Sequence, residues 1–151
     1  MLFFPQMAVR PHKPPTVPWD DFVYQNLLQY GAVTGVALFG CHGNLVYSQG
    51  CLSDGRDKEL WGQVKDLFTK LPPEEDHQVN RVLTIHVGQR STSFRIYQMT
   101  ESSAYGTTEK QRHGVVVCHL PLGILVAMHE ERFPASKAVS VVENFCGLLR
   151  A

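Results

Sequence analysis

The chain has 151 residues, 44% of them hydrophobic and 19% charged. That suits one globular domain, able to bury roughly 70% of the surface its unfolded form exposes. Lys plus Arg and Asp plus Glu each number 14, so no net charge draws the chain to nucleic acid, and no apolar run approaches the roughly 20 residues a membrane helix needs.

Residues 1–18 hold five of the nine prolines (Pro5, Pro11, Pro14, Pro15, Pro18) with Arg10 and Lys13 and no acid. Proline fixes φ and lacks an amide donor, so a flexible, extended leader is expected ahead of a domain spanning 19–151. Met1-Leu2-Phe3-Phe4 is cut short by Pro5 and has no charged segment before it, which argues against a secretory signal.

Trp19, Phe22, Val23, Asn26, Leu27 and Tyr30 recur at helical spacing, with Asp20 and Asp21 where the helix dipole favours acids and Gly31 as a stop. Ala32–Gly40 reads as a buried strand, Cys41–Asn44 as a turn and Leu45–Ser48 as the return strand. A second helix is expected from about Asp54 to Leu71, with Leu60, Trp61, Val64, Leu67 and Phe68 on one side, Ser53 or Asp54 as cap and Pro72-Pro73 as its stop. Strands follow at Arg81–Val87, Thr92–Gln98, near Tyr105, His113–His119 and Ile124–His129. Short turn-like segments join the middle ones, which favours antiparallel pairing. Glu101–Arg112 is polar and reads as two loops around a short strand. A last helix begins at about Pro134, with Ala138, Val141, Val142, Phe145, Leu148 and Leu149 as its apolar stripe. The order implies an α+β fold with a central antiparallel sheet.

The residues offer little chemistry. Cys41, Cys51, Cys118 and Cys146 lack metal-ligand spacing and read as free, buried, apolar residues of a reducing, cytoplasmic setting. The seven histidines are dispersed, no HExxH, GxSxG or P-loop pattern occurs, and Glu130-Glu131 falls on an expected turn. A non-catalytic binding protein with no cofactor and no metal is the expectation.

Three stretches carry a family resemblance. Trp19-Asp-Asp-Phe22-Val23 is similar to the opening of the first helix of profilins. Gly31–Gly40 followed by Gly43-Asn44 is similar to their first hairpin. Gly114–Leu149 matches their last two strands and final helix without a gap. The hairpin alone also resembles the roadblock family, whose members are dimeric scaffolds for GTPases or motor complexes. The profilin resemblance implies terminal helices packed together on one face of the sheet. It further implies a monomer in the cytoplasm and cytoskeleton that regulates actin polymerisation by binding monomeric actin. Binding to proline-rich proteins such as formins, and to phosphoinositides, is implied as well.

The same resemblance places actin contacts at Arg90, Arg95, His119, Phe133, Pro134, Lys137 and Val139. It places a polyproline groove at Trp19, Phe22, Val46, Leu148 and Leu149. His119 stands where a lysine is usual, and Pro134-Ala135-Ser136 replaces a glycine-rich helix entry. Val46 stands where a groove tryptophan is usual. Tyr47 follows it, but neighbouring strand residues face opposite ways, so Tyr47 substitutes only if the register changes.

Overall fold

The computed structural model describes residues 19–53, 57–69, 81–87, 89–110, 112–130 and 134–150. In chain order the elements are α1 (Trp19–Asn26), a 3₁₀ turn (Leu28–Tyr30), β1 (Gly35–Gly40), β2 (Leu45–Gly50), α2 (Asp57–Thr69), β3 (Arg81–Val87), β4 (Arg90–Met99), β5 (Ser103–Thr107), β6 (His113–Leu120), β7 (Gly123–Glu130) and α3 (Ala135–Arg150). The strands form one antiparallel sheet in the order β2-β1-β7-β6-β5-β4-β3.

Strands β1, β7 and β6 are apolar along nearly their whole length, which suits them to the middle of a sheet covered on both sides. Their side chains alternate between two cores. Val36, Leu38, Val116, Cys118, Leu125 and Ala127 face α1 and α3, where they meet Val23, Leu27, Val142, Phe145, Cys146 and Leu149. Ala37, Phe39, Val115, Val117, Val126 and Met128 face the other way, joined by Leu60, Val64 and Leu67 of α2. The terminal helices do pack together on one face, with the Phe22 and Phe145 rings 5.7 Å apart.

β4 alternates cleanly. Phe94 and Ile96 are buried on the α2 side, while Ser91, Ser93, Arg95 and Tyr97 are exposed on the other. That is the signature of a strand covered on one face only. Hydrogen bonds pin α2 to the edge strand β3. Gln63 donates to the Thr84 carbonyl (2.6 Å) and accepts from its amide (2.7 Å), and Arg81 donates to the carbonyls of Asp66 and Leu67 near the helix end.

Several boundaries differ from the sequence reading. The first helix stops at Asn26, whose side chain donates to the Phe22 carbonyl, and the chain tightens into the 3₁₀ turn that Gly31 closes at φ 72°. Tyr30 is thereby turned outward. The first strand begins at Gly35 rather than Ala32, because Thr34 instead donates through its amide and hydroxyl to the Met128 carbonyl. In α3 Leu148 is exposed, and Cys146 takes the buried place in the stripe. The cysteines split. Cys118 and Cys146 are buried as expected, Cys51 is half-buried, and Cys41 is exposed. The hydrogen bond with the Cys118 thiol, and then burial, push the Cys146 thiol pKa upward, so it stays protonated. Asp54, Pro72-Pro73 and the Pro-rich residues 1–18 lie outside the described residues.

Phe145 ties α3 to α1 from a fully buried position. Phe145→Ala should cost about 3–5 kcal/mol, read as a lower midpoint in urea with little change in slope.

Candidate partner-binding site

The register assembles one surface from residues far apart in sequence. Arg95 of β4 pairs with Val82 of β3 on one side and Thr107 of β5 on the other; Thr107 pairs with Gly114 of β6, and Gly114 with His129 of β7. The row crosses five strands on the face that carries α1 and α3. Towards β3 and β4 neither helix covers it, so Val82 is 61% exposed and Tyr97 44% exposed beside Arg95. An arginine flanked by an aromatic ring and an aliphatic side chain is typical interface chemistry.

Where the row meets the start of α3 it sinks into a cavity of about 620 Å³. Among the described residues it is lined by Arg95 and Tyr97 of β4, Gly106 and Thr107 of β5, Lys110 of the β5–β6 loop, His113 and Gly114 of β6, His129 of β7, Pro134 and Ala135. The His129 ring lies over Gly114. A Cβ there would come within 2.2 Å of the ring's Cε1, so glycine is required by close approach. Burial pushes the His129 pKa down, a backbone interaction at Glu130 opposes the shift, and His113 adds to it.

Beyond the cavity, the Tyr105 hydroxyl donates to Glu143 of α3, and Glu143 also meets Arg150 at 3.5 Å. Arg150 in turn donates to the carbonyls of Ser102 and His119. Burial, then the Glu143 bond, raises the Tyr105 pKa to about 12. This network holds α3 against β5 and β6.

The structure divides the residues expected at an actin surface. Arg95 and Pro134 line the same cavity, with Lys137 exposed and Val139 half-buried in the first turns of α3. Arg90 does not join them. It lies five residues from Arg95 along a strand with continuous register, so it sits on the opposite face, about 17 Å away. His119 also belongs to the α2 face, where its ring stacks on Phe68 at 5.3 Å. Phe133 lies outside the described residues.

The polyproline residues behave differently. Trp19 and Phe22 are half-buried, and their rings meet edge to face at 5.9 Å. Leu148 is exposed nearby in sequence to Leu149, which is buried in the core and has almost no surface for a ligand. The β1–β2 register shifts at a bulge: Leu38 pairs with Tyr47 and Phe39 with Leu45, leaving Val46 unpaired between them. Tyr47 therefore faces the terminal helices, as Leu38 does, and both Val46 and Tyr47 pack on that core. The Tyr47 phenol lies beside Asp20 of α1, and its pKa is raised by burial and then by Asp20.

Lys110, His113 and His129 were not identified from the sequence. His113 and His129 are 16 positions apart, and only the β6–β7 register makes them neighbours. Among the described residues no cluster of His, Cys, Asp or Glu could hold a metal ion, and no helix is long and apolar enough to cross a membrane.

The family model for Profilin matches residues 17–151. The chain belongs to the profilin family. A search of curated proteins finds no match. Among solved structures, this profilin is similar to Acanthamoeba castellanii profilin IA, with a TM-score of 0.62 and 21% identity over 85% of this chain and 94% of that one. It is also similar to Schizosaccharomyces pombe profilin, with a TM-score of 0.63 and 18% identity over the same shares. A third is LokiProfilin2 in a complex with rabbit actin, with a TM-score of 0.60 and 18% identity over 84% and 88% of the two chains. At these identities the likeness establishes the shared fold.

His129 gives this profilin a pH-dependent stability. Its folded pKa lies below the unfolded value of about 6.5, so the unfolded chain takes up a proton first as pH falls. Its contribution is complete above pH 6.5 and declines below it. The melting temperature should drop as pH falls below about 6.5, and His129→Gln should flatten that part of the profile.

Proposed function

We propose that this profilin binds monomeric actin one to one and regulates its polymerisation. The docking face is the uncovered part of β3–β5, with the start of α3 at its edge. The supporting observation is that face itself. Arg95 stands between exposed Val82 and Tyr97, and Pro134, just ahead of α3, borders the same cavity as Arg95, with Lys137 exposed in the helix's first turn. Membership of the profilin family and likeness to a profilin solved with actin agree with this reading. Arg95 supplies a forked donor for an acidic side chain, while Tyr97 and Val82 supply apolar contact.

Titration against ATP-loaded monomeric actin, read by light scattering, tests the reading through a saturable one-to-one complex. Arg95→Glu should weaken that complex by about 2 kcal/mol or more, roughly thirtyfold. Arg90→Glu, on the opposite face, should change it by well under tenfold. Equal losses from both, or no complex with folded protein, would sink this placement.

A second reading concerns proline-rich peptides, and the bulge at Val46 favours it. Trp19 and Phe22 of α1 and Tyr47 of β2 lie on one side of the sheet, where their rings can stack on prolines. Tyr47 takes over the aromatic function that Val46 lacks. The N-terminal residues 1–18 form a separate Pro-rich extension under this reading. Trp19→Ala and Tyr47→Ala should each reduce affinity for a decaproline peptide by about tenfold, measured by tryptophan fluorescence or calorimetry. Unchanged affinity in Tyr47→Ala would remove it from the groove.

A further inference from the structure

We infer that Ser91, His86 and Glu59 form a hydrogen-bonded relay, and that its serine is a covalent acceptor for activated acyl groups, those of thioesters and aryl esters. The Ser91 hydroxyl meets His86 Nδ1 at 2.8 Å, and His86 Nε2 meets Glu59 Oε2 at 3.2 Å. Hydroxyl, imidazole and carboxylate in that order are the parts that turn a weak serine into a nucleophile.

Three elements bring the relay together. His86 and Ser91 are register partners on β3 and β4, so their side chains rise side by side from one face of the sheet. α2 runs antiparallel to β3 and keeps step with it. Gln63 meets both the amide and the carbonyl of Thr84, and four residues back along the helix Glu59 meets His86, two residues on along the strand. Four helical residues advance about 6 Å and two strand residues about 6.6 Å, so the first contact sets the second. Arg81 extends the alignment by bonding the Asp66 and Leu67 carbonyls. Glu59 is exposed, yet the docking of α2 holds its carboxylate at the ring.

The carboxylate selects the tautomer. An ionised Glu59 only accepts, so Nε2 keeps its proton, and in the neutral ring Nδ1 is left to accept from the Ser91 hydroxyl. His86 Nδ1 then takes the Ser91 proton as Oγ bonds to the acyl carbon. The tetrahedral adduct collapses by breaking the bond to sulfur or to the aryl oxygen. The leaving group departs with that electron pair and the proton from His86. Ser91 is left as an ester and His86 as the neutral ring. Ser91 stands exposed on an open strand, so the leaving group must be a good one by itself. That selects thioesters and aryl esters over amides and alkyl esters.

Ser93 is a built-in control. It is exposed on the same face of β4, but its register partner is Thr84, not a histidine. The inference rests on neither partner-binding reading, and its test contains no actin and no peptide ligand. The full chain is incubated with p-nitrophenyl acetate and, separately, with the S-acetyl thioester of N-acetylcysteamine, and acetylated positions are mapped by mass spectrometry. Ser91 should be acetylated about tenfold or more faster than Ser93. His86→Gln, with the fold checked by circular dichroism, should bring Ser91 down to the Ser93 rate. Glu59 is a positioning residue. Glu59→Ala should slow Ser91, and Glu59→Gln, which still accepts from Nε2–H, should restore part of the rate. A merely structural Glu59 would move the melting temperature and leave the ratio of Ser91 to Ser93 labelling unchanged. Labelling by both donors supports the whole class, and labelling by one alone supports that donor type as the source. Equal rates at Ser91 and Ser93, or Ser91 labelling unaffected by His86→Gln, overturns the assignment.

Discussion

The structure depends on three central strands, β1, β7 and β6, that must satisfy two hydrophobic cores at once. Each contributes alternate residues to each face, so a slip of one residue would exchange the two sets. The slip would move Phe39 from α2 to the terminal helices and Leu38 the other way, against helices whose apolar stripes were shaped for the opposite partner. Register is therefore fixed by packing on both sides. Every cross-strand row, including Val82–Arg95–Thr107–Gly114–His129, inherits that precision.

The helices cover the sheet unequally, and function follows from what remains bare. α2 lies against the α2-side core that includes Leu83, Phe94 and Ile96, so β3 and β4 are buried there. On the other side α3 rests mainly on β6 and β7, held to β5 by the Tyr105–Glu143 bond. The terminal-helix face of β3 and β4 is left to solvent, with a cavity where the covered and uncovered parts meet. Arg95 occupies both the open face and the lining of the cavity.

Much of the architecture was legible in the sequence, because periodicity records burial directly. The strands expected at Arg81–Val87, Thr92–Gln98, His113–His119 and Ile124–His129, the buried run of β1 and the helix from about Pro134 are all present within a few residues of their expected bounds. The misplacements came where local competition decides. Asn26 and Gly31 end α1 earlier than the apolar spacing suggests, because a side chain bonds its own helix and a left-handed residue closes the turn. Leu148 belongs to a plausible stripe but falls outside it, since Cys146 is small enough to pack beside Cys118.

By itself the sequence determined the element order and the antiparallel α+β class through short-range periodicity, while its ordered motifs carried the profilin resemblance, which implied the pairing of the terminal helices. It also marked Arg95, Pro134, Trp19 and Phe22 for attention. Only the tertiary structure decided which marked residues share a surface. Strand parity separated Arg90 from Arg95, α2 claimed His119, and a single bulge at Val46 turned Tyr47 towards the helices. The cavity was invisible for the same reason. Lys110, His113 and His129 meet through hydrogen-bond register between strands, a long-range property that no local pattern of residues encodes.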